Sequence, residues 1–209
     1  MENSKYITQR STKWYEKRRG KFTSSRINDL MGIKGLGKTG ENYAFEMAVD
    51  IVEGWDEDDT FMSYDMKMGV EMEPYAFQKF KQLKSSEFLE VTECGFFALN
   101  ENTGGSPDGL VSDNSVLEIK CPKPNKLFRL VADGVIDQVY IDQMQHQMWV
   151  TGTKQAYFFN YAIRNGDEKW HEIIVPRDQK RIDLMKSRID EATIIRDNFV
   201  KILRANKQY

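Results

Sequence analysis

Cysteine and histidine are scarce: the 209 residues hold two of each, Cys94 and Cys121, His146 and His171. Residues so few and so scattered exclude a disulfide framework and a Cys/His zinc cluster. Long apolar runs are missing too. No stretch approaches the roughly 18 consecutive apolar residues of a membrane span, and MENSKYITQRSTKWYEKRRGK at the start has no apolar core of the signal-peptide kind. The expected setting is a reducing cytoplasm without membrane association. Low-complexity segments and internal repeats are absent, and proline is held to 5 residues, which excludes a fibrous or disordered chain. An excess of one charge is also lacking. The formal net charge of -2 argues against coating nucleic acid through bulk electrostatics. Local clusters can still do so. The clearest is Lys13, Lys17, Arg18, Arg19 and Lys21 with Trp14 and Tyr15 interleaved, which reads either as a phosphate-contacting surface or as a solvated basic face.

What is present suits one domain over 1–209, since 40% hydrophobic residues in a chain this long can bury a single sizeable core. Thr23, Ser24 or Ser25 can cap a short helix through Met31, ended by the glycine-rich GIKGLGKTG at 32–40. A helix is predicted over Glu41–Val52, and acidic WDEDDT at 55–60 reads as an exposed turn. Met66, Val70, Phe77 and Phe80 recur at helical spacing between Met66 and Leu83, with Glu73 inside the stripe. Strand-like runs follow at Leu89–Leu99, Gly109–Val111 and Val116–Lys120, the last two joined by a turn at Asp113-Asn114. Asp137–Thr151 reads as a helix with Gln143 and Gln147 beside its apolar stripe. Lys154–Ile163 and Trp170–Val175 flank Asn165-Gly166, a dipeptide suited to a type I′ hairpin turn. Arg177–Ala205 is an amphipathic helix of about seven or eight turns at 3.6 residues each. The sum is an α+β fold with a mixed central β-sheet flanked by helices.

Chemistry concentrates in Gly105-Ser-Pro-Asp-Gly-Leu-Val and Val116-Leu-Glu-Ile-Lys-Cys-Pro. Side chains two apart on a strand share a face, so Glu118 and Lys120 project together, and a hairpin partner brings Asp108 alongside. Two carboxylates and a lysine suit phosphodiester hydrolysis: hard oxygen ligands hold Mg²⁺, and the ammonium orients water or stabilises charge developing on phosphorus. The bland alternative is a turn at Asp108-Gly109 and a surface ion pair between Glu118 and Lys120. Glu73 favours the hydrolytic reading, because a carboxylate in an apolar stripe is costly to bury without a partner or metal, although Pro74 can break the helix beside it. Gln143 could place the water or simply make a structural hydrogen bond.

Several ordered motifs together resemble the phage lambda exonuclease family of viral recombination nucleases, within the PD-(D/E)XK superfamily. The resemblance runs from Trp14-Tyr-Glu-Lys-Arg-Arg-Gly and Thr23-Ser-Ser through Gly69-Val-Glu-Met-Glu. It is densest from Ser106-Pro-Asp-Gly-Leu to Leu117-Glu-Ile-Lys-Cys-Pro, and continues through Asp142-Gln-Met-Gln-His-Gln-Met-Trp-Val-Thr and Tyr157-Phe-Phe-Asn-Tyr. It implies a PD-(D/E)XK nuclease-like fold in which Asp108, Glu118 and the Ile119 backbone carbonyl bind metal. Two Mg²⁺ ions are implied, with Mn²⁺ able to substitute. Glu73 matches the helical glutamate of the family's site, Lys120 its catalytic lysine and Gln143 the assisting glutamine. Arg18 and Ser25 match the residues that receive a terminal 5′-phosphate, a task suited to the guanidinium fork. Trp14 lies where an aromatic could pack against unstacked bases or in the core. The resemblance further implies 5′-to-3′ digestion of one strand of duplex DNA, a 3′ overhang for a phage single-strand annealing protein, and a homotrimeric ring. Residues 33–59 carry little of it.

Two other readings stand beside this one. Gly32-Ile-Lys-Gly-Leu-Gly-Lys-Thr satisfies the G-x-x-x-x-G-K-[ST] pattern of a phosphate-cradling loop, but that loop needs a buried apolar strand before it, and Ser24–Met31 is polar and helix-like. An endonuclease, or a non-catalytic DNA-binding module of the same fold, is the other.

Overall fold

The computed structural model describes residues 9–54 and 63–206. The acidic turn expected at 55–60 lies outside them. At the centre stands β6 (Ser115–Lys120), paired antiparallel with β5 (Gly109–Val111) on one side and parallel with β7 (Gln155–Arg164) on the other. Outer strands β2 (Val91–Glu93) and β8 (Asp167–Pro176) complete a five-stranded mixed sheet in the order β2-β5-β6-β7-β8. The parallel β6–β7 step needs a crossover, supplied by helices α4 (Pro124–Asp133) and α5 (Gln138–Thr151).

Alternation along β6 is buried on both faces. Leu117 and Ile119 meet Ala76, Phe77 and Phe80 of helix α3 (Tyr64–Ser86), while Val116 shares a second cluster with Met144 and Met148 of α5. Phe80 has no exposed surface and stacks edge-on against Tyr157 and Phe159, a burial of about 1.5–3 kcal/mol. Ser63 caps α3 by accepting from the Met66 amide, and the helix runs through Pro74, whose ring faces solvent. A third cluster joins a 3₁₀ helix (Ser24–Leu30), helix α2 (Gly37–Glu53) and helix α6 (Gln179–Ala205) around Phe22, Ile27, Tyr43 and Met185. Beside it lies a small sheet in the order β1-β4-β3, made of Phe22–Thr23, Thr103–Gly105 and Phe97–Ala98. Helix α1 (Thr12–Arg18) precedes β1.

The Asn165-Gly166 turn forms as expected, both residues having positive φ (54° and 82°). Other expectations need correction. Leu89–Leu99 is two strands in different sheets, because the chain leaves the β2 ladder at Cys94, whose thiol donates to the Pro107 carbonyl, and Phe96 packs against Gly104. Helix α2 starts four residues early and takes Gly37, Lys38, Thr39 and Gly40 into its first turn. What precedes Gly32 is the 3₁₀ helix, so the strand that a phosphate-cradling loop requires is not there. Helix α4 was missed despite Pro124 in its first turn and Gly134 at its C-cap with φ 66°.

Candidate active site

The β5–β6 hairpin builds the acidic centre. Gly109 lets β5 lie close, since a Cβ there would meet the Phe77 ring and the Thr92 carbonyl, each at 3.2 Å. Just before it, the Asp108 amide donates to the Leu117 carbonyl, and the Ile119 amide donates back to Asp108 Oδ2 at 2.6 Å. Asp108 is thereby fixed against the backbone on either side of Glu118. The Glu118 side chain is 2% exposed, which is tolerable only because its oxygens are satisfied. Oε1 accepts from Lys120 Nζ and from Gln143 Nε2 (2.7 Å), and Oε2 accepts from Gln147 Nε2 (2.6 Å). The surface ion pair of the bland alternative is therefore not what the fold makes.

The charges reinforce this. Burial pushes the Asp108 carboxyl well above the usual carboxylate range, and the negative charges of Glu118 and Glu73 push it further; Lys120 and the Ile119 amide offset part of this. Burial alone would lower the Lys120 ammonium, but Glu118 and Asp108 outweigh it and hold the group above its ordinary value. Lys120 also faces the Tyr140 ring at 5.2 Å. Glu73, half-buried on α3, accepts from Arg10 Nη2 at 2.9 Å. When all three are ionised, the Asp108, Glu118 and Glu73 carboxylates outnumber the two cations, Lys120 and Arg10. A divalent cation fits that deficit, and the Asp108, Glu118 and Glu73 oxygens with the Ile119 carbonyl are hard donors of the right class. Among the described residues no three acidic, His or Cys side chains converge as a preformed cage. Magnesium does not require one, since it binds through one or two carboxylates and completes its shell with water and substrate phosphate.

A cleft of about 1170 Å³ opens at this centre, lined by Glu73, Ile119 and Lys120 together with Trp14, Arg18 and Ser25. Residues over 100 apart in the chain thus share one space. Asp108, Glu118 and Gln143 lie behind Lys120 and Ile119, joined to them by the hydrogen bonds above. Arg18 lies 3.9 Å over the Trp14 ring and donates to Thr23 Oγ1, and among the described residues it pairs with no carboxylate. Burial lowers its pKa to about 10, so it stays cationic at neutral pH. Trp14 Nε1 donates to Ser106 Oγ (2.9 Å), which ties α1 to the Ser-Pro-Asp segment. The basic cluster divides. Arg19 donates to the Asp50 and Ile51 carbonyls at the end of α2, and Lys21 to the Glu101 carbonyl, both structural roles. Lys13 and Lys17 remain exposed.

Gln147 and Arg10 escaped the sequence reading as site residues. Gln147 was findable, one turn beyond Gln143 on the same helix face; Arg10 had no local signal.

A mixed sheet whose central hairpin presents an acid, an acid and a lysine beneath a cationic cleft defines a nuclease of the PD-(D/E)XK kind. The chain belongs to the YqaJ-like viral recombinase domain family, which matches residues 13–154 and so spans every site residue from Trp14 to Gln147. The alkaline exonuclease of Laribacter hongkongensis has the same fold, with a TM-score of 0.82 at 27% identity over 93% of this chain and 97% of that one. A phage-related exonuclease of Haemophilus somnus 129PT shares the fold at a TM-score of 0.69 and 19% identity, covering 88% and 96% of the two chains. An uncharacterised protein of Escherichia coli (strain K12), ExoD, is 38% identical over 53 residues, 25% of this chain and 61% of that protein. The chain thus spans less than two thirds of that relative. No described helix is long and apolar enough to cross a membrane.

Proposed function

We propose that the protein is a Mg²⁺-dependent exonuclease that enters linear duplex DNA at a 5′ end, digests that strand 5′-to-3′ and leaves a 3′ overhang for a phage single-strand annealing protein. One observation carries this reading: Arg18, a half-buried cation that pairs with no carboxylate among the described residues, lines the same cleft as Glu73, Ile119 and Lys120, the last two hydrogen-bonded to Asp108 and Glu118 respectively. Such a cation is poised for phosphate, and a terminal phosphate is doubly charged and open to a bidentate grip. When bound, Mg²⁺ would supply Lewis-acid polarisation of the scissile phosphate and lower the pKa of a water at the site. Asp108, Glu118 and the Ile119 carbonyl would hold the ion, with Glu73 completing the acidic set. Gln143 and Gln147 hold Glu118 in one rotamer. Lys120, kept protonated by its neighbours, orients the attacking water and stabilises charge on the phosphorus oxygens. Ser25 and Arg18 receive the end, with Trp14 backing the guanidinium. The similar Laribacter enzyme has been crystallised with dAMP, a mononucleotide of the kind stepwise digestion releases. A homotrimeric ring and a cytoplasmic location accompany this reading.

The deciding assay compares linear duplex carrying a 5′-phosphate, linear duplex carrying a 5′-hydroxyl and covalently closed circles, each with and without Mg²⁺. Mg²⁺-dependent loss of linear DNA, faster from phosphorylated ends, is expected. Cutting of closed circles would instead establish an endonuclease. Arg18→Ala should erase most of the 5′-phosphate preference, on the order of 10- to 100-fold for a charge-assisted contact.

A further inference from the structure

Helix α5 grips the molecule with two pairs of residues spaced one turn apart. Gln143 and Gln147 hold Glu118, as described. Asp142 and His146 face a different neighbour, the segment that carries Ser25. Asp142 accepts from Asn28 Nδ2 (2.7 Å) in the 3₁₀ helix and from Arg181 of α6. His146 has no exposed surface; its Nδ1 lies 2.8 Å from Ser24 Oγ and its Nε2 2.9 Å from Thr103 Oγ1. Thr103 spends its only hydroxyl proton on the Phe22 carbonyl (2.7 Å), so towards His146 it can only accept. The ring is therefore protonated on Nε2, and Nδ1 accepts from the Ser24 hydroxyl. Gly105 leaves the room for this bond, because a Cβ there would stand 2.2 Å from Ser24 Oγ. The same short segment also anchors Arg18 through Thr23 Oγ1.

We propose that His146 is a positioning residue for end recognition: through Ser24 and Thr103 it holds Phe22–Ser25, and with it Arg18 and Ser25, in register with the carboxylate that α5 clamps. The inference deepens the 5′-phosphate reading above and rests on it. One rigid helix then fixes the distance between the terminal phosphate and the scissile bond, and a neutral ring with one donor and one acceptor is what two fixed hydroxyls demand. A glutamine amide offers the same pair of functions, whereas leucine offers neither.

The test measures equilibrium binding of 5′-phosphorylated and 5′-hydroxyl duplex in EDTA, and the ratio of kcat/KM for the two substrates with Mg²⁺. Wild type, Ser24→Ala, His146→Leu and His146→Gln are compared. Ser24→Ala and His146→Leu should each lower the phosphate preference about fivefold or more, the scale of one hydrogen bond, and His146→Gln should restore most of it. Ser24→Ala removes a single atom, so it reports even where His146→Leu fails to fold. Unchanged preference in Ser24→Ala, an equal loss of affinity for both duplexes, or a His146→Gln variant no better than His146→Leu would each overturn the inference alone. A wild type indifferent to the 5′-phosphate would overturn the end-recognition reading, and this inference with it.

Discussion

Acid should destabilise this protein through His146, and the size of the effect follows from its surroundings. The ring faces Ser24, Thr103 and Trp149, none of them charged, and burial is the one cause that lowers its pKa from 6.5 to about 3. The folded state thus resists a proton that the unfolded chain accepts. Between pH 6.5 and 3 the unfolded state binds more protons, so stability falls as pH falls, by about 1.4 kcal/mol per unit once the unfolded ring is protonated. Going from pH 7.5 to pH 5 should cost about 2 kcal/mol from this residue, or roughly 4–8 °C in Tm for a domain of this size. Asp108 acts with the opposite sign, since its raised pKa makes the folded state the better proton acceptor. The measurement is therefore a difference: Tm against pH for wild type and for His146→Gln, which cannot titrate. The wild-type curve should fall more steeply between pH 6.5 and 5, the two converging as acidity rises. Parallel curves would show that His146 is not held neutral by burial, and would refute the hydrogen-bond assignment built on it.

Two further perturbations probe the two halves of the molecule. Lys120→Met should lower kcat by about 10²–10³, the scale of losing one preorganised charge in a hydrolytic centre, while duplex binding measured in EDTA stays within a fewfold of wild type; full activity would remove Lys120 from the chemistry. Arg181→Ala leaves Asp142, which has no exposed surface, without its bidentate partner, and should cost roughly 3–5 kcal/mol in denaturant unfolding; a cost below about 1 kcal/mol would mean that Asn28 and Gln138, whose Nε2 also donates to Asp142 Oδ1 at 2.9 Å, suffice.

The sequence disclosed what repeats locally. Period-2 alternation at 115–120, the Asn165-Gly166 turn and the apolar stripes of α3, α5 and α6 each announce themselves within a dozen residues, and together they yielded the mixed sheet and the acidic hairpin. It disclosed poorly what depends on contacts between distant segments. Strands of two or three residues such as β1, β3 and β4 carry almost no periodicity, and their pairing is fixed instead by Thr103 reaching the Phe22 carbonyl and by glycines at 104 and 105 that admit Phe96 and Ser24. The glycine-rich run at 32–40 misled for a related reason: glycines punctuate a loop and open a helix with the same letters, and only the packing of Leu36, Tyr43 and Ala44 on α6 decides where α2 begins. The α5 residues make the limit plain. Asp142, Gln143, His146 and Gln147 line an arc of about 140° on the helix, at roughly 100° per residue, with polar groups, which hydrophobic patterning reads as a solvent face. They are nevertheless buried, because Glu118, Ser24, Asn28 and Arg181 converge on them from three other elements. A helix whose polar face is interior contradicts the usual pattern, and only the partners that reach it from β6, the 3₁₀ helix and α6 make its burial tolerable.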